Sequence, residues 1–180
     1  SFDPTMLDRK SGGEQGFARL IRSLEKAGMS LLIDINPNQI PASHENSWWR
    51  SLLEWGRDAK YADYFDIEWS SRLTLPVLER PLAEELDNGS ISLLFDTAAN
   101  ALGISYAHNL YPLSPSSYEK VLQGLDSELA RQFREAAADS QPFYPDQFHE
   151  NLRAIYGRSS VSDRLALADH LNRLTVDTSS

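Results

Sequence analysis

One stretch decides the predicted fold, Leu31-Leu32-Ile33-Asp34-Ile35-Asn36-Pro37-Asn38. Its first half is a run of Leu and Ile, which is typical of a strand buried on both faces. Its second half is polar, with acid and amide side chains around Pro37. A buried parallel strand that ends in such side chains is typical of α/β enzymes, which place their chemistry at the carboxyl ends of strands. We therefore predict a strand over residues 30–35, followed by a functional loop.

The segment before this strand predicts an amphipathic helix over residues 14–27. Phe17, Leu20, Ile21 and Leu24 recur at i, i+3, i+4 and i+7, which places them on one helix face. Gly28 follows, and glycine at this position commonly ends a helix. The order of helix, tight turn and buried strand is one αβ step of a parallel α/β fold.

The rest of the chain predicts helices with a small amount of antiparallel sheet. Apolar residues alternate with other residues in two short runs, so we predict a β-hairpin near residues 91–107. Helical spacing dominates from residue 125 onward. The predicted fold class is α+β, with two parts. Residues 1–35 form the αβ step, and residues 36–180 form a mostly helical subdomain with the hairpin.

The composition excludes several classes of partner. The 180 residues carry a net charge of −9, whereas nucleic acids and anionic membranes require basic patches. No apolar run approaches the roughly 20 residues that span a bilayer. The chain has no cysteine, and its four histidines show no metal-ligand spacing, so we expect no metal site. These features favour a cytoplasmic protein that binds neither nucleic acid nor membrane.

Polar and aromatic residues near the predicted strand supply the candidate site. Asp34 fits an active-site carboxylate, although an Asp that follows a strand more often satisfies loop amides. The same alternative holds for Asn38, as a turn residue beside Pro37. Trp48 and Trp49 could stack on sugar rings, but adjacent tryptophans at a helix start more often pack in a core.

A second group of acids invites a catalytic interpretation. Asp63, Asp66 and Glu68 lie close together in the sequence, and two of them could form a pair of catalytic carboxylates. They alternate with aromatic and apolar residues, however, and alternation favours a solvated face over an acid/base pair.

Four blocks of sequence point to one family: Gly12-Gly13-Glu14-Gln15-Gly16-Phe17, Leu32-Ile33-Asp34-Ile35-Asn36-Pro37-Asn38, Ser47-Trp48-Trp49 and Tyr61-Ala62-Asp63-Tyr64-Phe65-Asp66-Ile67-Glu68-Trp69. With them, residues 3–122 resemble the maltooligosyltrehalose synthases of the α-amylase family of glycoside hydrolases. The aromatic blocks are more specific to this subfamily than the strand motif, which the whole superfamily shares.

The resemblance implies a (β/α)₈ barrel enzyme that acts on maltooligosaccharides. Such an enzyme, a glucan 1-α-D-glucosylmutase, converts the reducing-end α-1,4 linkage into an α,α-1,1 linkage for trehalose biosynthesis. The family uses the retaining mechanism, with a carboxylate nucleophile, a general acid and a covalent intermediate. Residues 14–27 would be the second barrel helix, and residues 30–35 the third barrel strand. The remainder would be the insertion after that strand. No cofactor is implied.

The resemblance also implies that the catalytic residues lie outside this chain. The nucleophile and general acid would follow residue 180, so we expect an internal fragment of a longer enzyme. Asp34 and Asn38 would support the catalytic centre. Gln39 stands where the family has a histidine that hydrogen-bonds the sugar. Glutamine can donate and accept hydrogen bonds, but it cannot carry a positive charge into the transition state.

Three functional hypotheses remain open from the sequence. The first is a fragment of a maltooligosyltrehalose synthase, with maltooligosaccharide or α-glucan as its partner. The second is a non-catalytic module that binds α-glucan or another protein, and the third is a folded piece without activity of its own. Because one strand cannot close a barrel, we expect either packing of the αβ step on the insertion or self-association through exposed barrel edges.

Overall fold

The computed structural model describes residues 7–33, 42, 46–71 and 73–177. It divides the chain into two compact units, Ser1–Ser47 and Trp48–Ser180. Helices together with a small antiparallel sheet make an α+β fold, as predicted. The predicted boundary at residue 35 stays a prediction.

The first unit contains the predicted amphipathic helix, here called α1 (Gly13–Lys26). Gly28 ends it as expected, because it adopts a positive φ of 66° that other residues rarely take. The Gly28 amide donates to the Glu25 carbonyl (3.1 Å), and the Met29 amide donates to the Leu24 carbonyl (2.9 Å). This pair of hydrogen bonds satisfies two of the carbonyls that a helix end leaves free.

The described part of the predicted strand over residues 30–35 is not a strand. Residues 30–33 have no regular secondary structure, and the Leu32 side chain is 95% exposed. A buried strand needs hydrogen-bonded neighbours on both sides, and the described residues of this unit contain no other strand. Residues 34 and 35 lie outside the described residues. The helix of the predicted αβ step is therefore present, but the described residues that follow it do not form the predicted barrel strand.

The second unit carries the other described α-helices and the strands. Its helices are α2 (Ser47–Trp55, which begins at the last residue of the first unit), α3 (Leu82–Asp87), α4 (Tyr118–Val121), α5 (Glu128–Ala138), α6 (Pro145–Arg158) and α7 (Val161–Asp177). Its strands are β1 (Ser92–Asp96), β2 (Ala101–Tyr106) and β3 (Asn109–Pro112). Helix α7 packs on β1, and α5 packs on α6 and α7.

The sheet confirms the predicted hairpin and adds a third strand. β1 pairs antiparallel with β2, and β2 pairs antiparallel with β3. Two residues join β2 to β3, Ala107 (φ 47°) and His108 (φ 66°). Two-residue turns of this kind normally use Asn-Gly or Asp-Gly, and neither pair is present here, so no local pattern predicts this turn. Gly103 in β2 is required sterically, since a Cβ there would lie 2.9 Å from the Tyr111 carbonyl oxygen.

The main hydrophobic core of the second unit lies between the sheet and helices α4 to α7. Phe133 of α5, Leu152 of α6 and Leu167 of α7 are almost completely buried there. Phe95 of β1 packs its ring on Phe133, with centroids 5.1 Å apart. These contacts bring one face of the sheet and three helices into a single core.

Tyr118 joins the sheet to the helices by a polar contact inside this core. Its side chain is fully buried, and its hydroxyl accepts a hydrogen bond from the Leu102 amide of β2 (2.8 Å). Its ring also contacts Phe148 of α6 (5.8 Å between centroids). Burial raises the pKa of Tyr118 far above its ordinary value; the Leu102 amide opposes that rise, and the negative charge of Glu54 adds to it.

None of the helices in the described ranges has both the length and the apolar character needed to cross a membrane.

The core makes a prediction about stability. Leu152→Ala should lower the free energy of unfolding by about 2–5 kcal/mol, because it leaves a cavity where the side chain is completely buried. Urea denaturation followed by tryptophan fluorescence measures this change. Leu165→Ala on α7, where the side chain is 61% exposed, is the control and should change it by no more than about 0.5 kcal/mol. Equal effects of the two substitutions would contradict the placement of the core.

Candidate functional site

The structure describes only part of the predicted site. Asp34, Asn38 and Gln39 lie outside the described residues, so their role stays a prediction. Trp48 and Trp49 both lie in the first turns of α2, and the structure separates them. The separation follows from helix geometry, because adjacent helical residues point about 100° apart.

Trp49 belongs to a small core. It is buried with Leu52, Ala59 and Ala62, and its ring packs on Phe65 at a centroid distance of 5.3 Å. These contacts favour the packing interpretation of Trp49 over sugar stacking.

Trp48 instead lies in an aromatic surface cluster, which we define as Trp48, Tyr61 and Tyr64. The Trp48 and Tyr61 rings are parallel, with centroids 4.4 Å apart and an interplanar angle of 9°. Tyr64 is tilted against Trp48 at 5.0 Å and lies edge-on to Tyr61 at 6.1 Å. Tyr64 is 70% exposed, so the cluster presents aromatic surface to solvent.

Local sequence explains how the cluster forms. Gly56 has a positive φ of 61° directly after α2, and two short 3₁₀ turns, Gly56–Asp58 and Ala62–Tyr64, then carry the chain back along α2. Buried Ala59 and Ala62 allow this close return because they have small side chains. The return brings Tyr61 and Tyr64 against the first turn of α2, where Trp48 lies.

Charged side chains border the aromatic surface cluster. The Lys60 ammonium lies 5.2 Å from the centroid of the Tyr61 ring, a cation–π distance. Asp63, between the two tyrosines, is exposed. Aromatic faces beside hydrogen-bonding groups suit a ligand with an apolar face and a polar edge, such as a sugar ring.

The acids that follow the cluster form a solvated face, as the alternation predicts. Asp63, Asp66 and Glu68 are exposed, and Phe65 and Ile67 between them pack against the Trp49 core. The backbone amide of Ser70 stabilises the charged Glu68 carboxylate and lowers its pKa. Nothing in this arrangement pairs two carboxylates for acid/base catalysis.

Glu54 is a buried carboxylate that sequence reasoning missed. It accepts a hydrogen bond from the Trp55 indole (3.0 Å), and its two oxygens lie 2.9 and 3.0 Å from the Nε2 atom of His149. Ninety-five residues separate Glu54 from His149 in the chain, so no local pattern could indicate the pair. The Glu54–His149 contact links α2 to α6. Because Glu54 is buried and already bound by His149 and Trp55, it is not available as a catalytic acid.

Glu85 of α3 is a second buried carboxylate that the sequence did not reveal. It accepts a hydrogen bond from the Tyr106 hydroxyl (2.8 Å) and pairs with the Arg80 guanidinium (3.3 Å). Burial raises the pKa of Glu85, but the hydrogen bonds from Tyr106, Ser90 and Arg80 and the charge of Arg80 outweigh it, so its pKa is lowered overall. The Tyr106 hydroxyl also accepts from the Glu79 amide (2.9 Å), which fixes the segment before α3 to β2.

The described residues contain no cluster of three or more His, Asp or Glu side chains that could hold a metal ion. His149 and His170 are each engaged separately, His149 by Glu54 and His170 by the Val121 carbonyl (2.9 Å).

Comparison with known proteins gives a partial match. The chain is 38% identical over 81 residues to the "putative maltooligosyl trehalose synthase" of two Mycobacterium tuberculosis strains, CDC 1551 and H37Rv. The match covers 42% of this chain and 11% of each relative, so it spans about a tenth of the relatives' length. No protein-family model matches the chain, and no solved structure matches it. The comparisons indicate at most a segment related to these synthases.

The Glu85 cluster predicts a pH-dependent contribution to stability. The folded state lowers the pKa of Glu85 below its ordinary value of 4.5, so its stabilisation is present above that pH and is lost as the pH falls through the folded-state pKa. The Glu85→Gln variant should therefore be less stable than the unsubstituted chain at pH 7, and this gap in stability should narrow toward about pH 3. Thermal melts over this range measure the gap.

The control for this experiment is Glu150→Gln, since Glu150 is exposed on α6. Its stability should stay within about 0.5 kcal/mol of the parent at every pH. A Glu85→Gln gap that is constant from neutral to acid pH would contradict the assigned role of the carboxylate charge.

Proposed function

We propose that this chain is a segment of a maltooligosyltrehalose synthase-like enzyme. In this proposal the parent converts the reducing-end α-1,4 linkage of a maltooligosaccharide into an α,α-1,1 linkage, as a cytoplasmic glucan 1-α-D-glucosylmutase in trehalose biosynthesis. The partial match to the mycobacterial synthases supports the relationship. The sequence blocks that carry the resemblance extend it to Trp48 and to the segment that includes Tyr61 and Tyr64.

Within that enzyme we assign glucan contact, not bond breaking, to the 180 residues. The observation that carries this assignment is the exposed aromatic surface cluster. One face of Trp48 is covered by Tyr61, so the ring most open to a glucose unit is Tyr64. Exposed Asp63 directly precedes Tyr64 in the chain, and the Lys60 ammonium lies over the neighbouring Tyr61 ring. These groups can accept from and donate to sugar hydroxyls.

In the same proposal, the catalytic residues lie outside this chain. The retaining mechanism needs two carboxyl groups about 5 Å apart that flank the scissile bond. Glu54 and Glu85 are buried among their own partners, and the exposed acids near Tyr64 form a solvated face. The isolated chain should accordingly be inactive, with Asp34, Asn38 and Gln39 supporting a catalytic centre that other segments complete.

An assay on the full-length parent tests the enzymatic part of the proposal. Incubation with maltopentaose should remove reducing ends without releasing glucose, because the cleaved glucose is re-attached through its anomeric hydroxyl. Reducing-sugar and glucose assays on the same sample measure both quantities. The 180-residue chain is the control and should change neither. Sustained glucose release by the parent would contradict the isomerase assignment.

A titration of the 180-residue chain tests the binding part. Maltopentaose should shift the amide resonances around residues 48–64, and Tyr64→Ala should weaken this binding about threefold to tenfold, as expected for loss of one aromatic contact. Tyr64→Phe should retain most of it, since the ring remains.

The matched control is Tyr144→Ala, because Tyr144 is 65% exposed but lies before α6, outside the aromatic surface cluster. Unchanged spectra of the unsubstituted 180-residue chain across the titration would rule out the glucan contact. The enzymatic assignment of the full-length parent is tested separately, by the assay above.

The alternative proposal is a non-catalytic domain that binds α-glucan or another protein. The two buried carboxylates favour it, because Glu54 and Glu85 are already engaged by hydrogen-bond partners and are not available as catalytic acids. Saturable glucan binding together with an inactive full-length parent would select this alternative. Self-association through barrel edges stays a separate prediction, and the molecular mass in solution measures it.

A further inference from the structure

Within the aromatic surface cluster, one ring covers a face of another. The Tyr61 ring lies parallel to the Trp48 ring, with centroids 4.4 Å apart and an interplanar angle of 9°. The apolar face of a sugar ring packs on an aromatic side chain in the same parallel arrangement. Tyr61 therefore occupies the position over Trp48 that a glucose unit would take. Both side chains are half-buried, whereas Tyr64 beside them is exposed.

The described contacts of the Tyr61 ring are weak ones. Besides the stack on Trp48, the ring lies edge-on to Tyr64 at 6.1 Å, and the exposed Lys60 ammonium lies 5.2 Å from its centroid. None of these three contacts is a hydrogen bond, whereas the buried Tyr118 hydroxyl is fixed by the Leu102 amide. A surface aromatic stack and an exposed cation–π contact each contribute little, so a ligand that forms an equivalent stack can displace the ring.

The backbone at Tyr61 is held by contacts that do not involve its ring. The Tyr64 amide donates to the Tyr61 carbonyl (3.2 Å), and the Ala62 amide donates to the Ala59 carbonyl (3.0 Å). The Ala62 side chain is also buried in the small core with Trp49. Because the backbone is fixed independently, the Tyr61 ring can leave Trp48 by rotation about its side-chain bonds alone.

We propose that Tyr61 is a displaceable cover of a sugar-binding face of Trp48. In the free chain Tyr61 closes this face. When an α-glucan binds, one glucose unit replaces the Tyr61 ring on Trp48, and a neighbouring unit contacts the exposed Tyr64 ring. This inference rests on the proposed glucan contact and adds its regulation, because the free energy needed to displace Tyr61 lowers the apparent affinity for the glucan.

Removal of the cover tests this inference. Tyr61→Ala should bind maltopentaose about threefold to tenfold more tightly than the unsubstituted chain, because no ring has to be displaced from Trp48. Tyr61→Phe is the matched control, since it keeps the stacked ring and should bind as the unsubstituted chain does. Titrations followed by the amide resonances of residues 48–64 measure the affinities. Equal or weaker binding by Tyr61→Ala would overturn the inference, because Tyr61 would then not compete with the sugar.

A second measurement uses the unsubstituted chain and does not depend on the folding of a variant. Nuclear Overhauser contacts between the Trp48 and Tyr61 rings should be present in the free chain and lost at saturating maltopentaose. Their persistence at saturation would also overturn the inference.

The two proposals fail in different ways. If neither the unsubstituted chain nor Tyr61→Ala binds maltopentaose, the glucan contact is wrong and the cover falls with it. If the unsubstituted chain binds and Tyr61→Ala binds no more tightly, the cover alone is wrong.

Discussion

The second unit depends on one polar contact inside its core, the hydrogen bond from the Leu102 amide to the Tyr118 hydroxyl. Leu102 lies in the central strand of the sheet, and its carbonyl accepts from the Leu113 amide after β3. Tyr118 begins the helical half of the unit and contacts Phe148 of α6. A fully buried hydroxyl without such a partner would destabilise the core, so this contact fixes where the sheet meets the helices.

The two buried acids of the second unit also hold separate elements together through polar contacts. Glu54 joins α2 to α6 through His149, and Glu85 joins α3 to β2 through Tyr106. Each carboxylate has one partner from a distant part of the chain and at least one partner close to it in sequence. Acids used in this way are structural, because their lone pairs are already occupied. The Tyr64 ring of the aromatic surface cluster, by contrast, is exposed and open to a ligand.

The aromatic surface cluster suits an uncharged sugar for physical reasons. Tyr61 covers one face of Trp48, and Tyr64 is the most exposed ring of the three. The charged side chains of Lys60 and Asp63 lie only at the border of the cluster. The cluster therefore offers an apolar aromatic face together with hydrogen-bonding groups.

Sequence alone determined the features that depend on short-range order. The spacing of Phe17, Leu20, Ile21 and Leu24 defined α1, Gly28 ended it, and alternation located β1 and β2. Alternation also placed Asp63, Asp66 and Glu68 on a solvated face. Each of these patterns is complete within a few turns of helix or one strand, so the residues that cause the structure are adjacent in the chain.

Only the tertiary structure decided the rest. It left Leu32 exposed outside any strand, and it formed β3 through an Ala107-His108 turn at positive φ that lacks the usual Asn-Gly or Asp-Gly pair. It buried Trp49, left Trp48 in the aromatic surface cluster, and paired Glu54 with His149. Such outcomes depend on which distant surfaces meet, because burial and hydrogen-bond partners are properties of the packed chain and not of its local pattern.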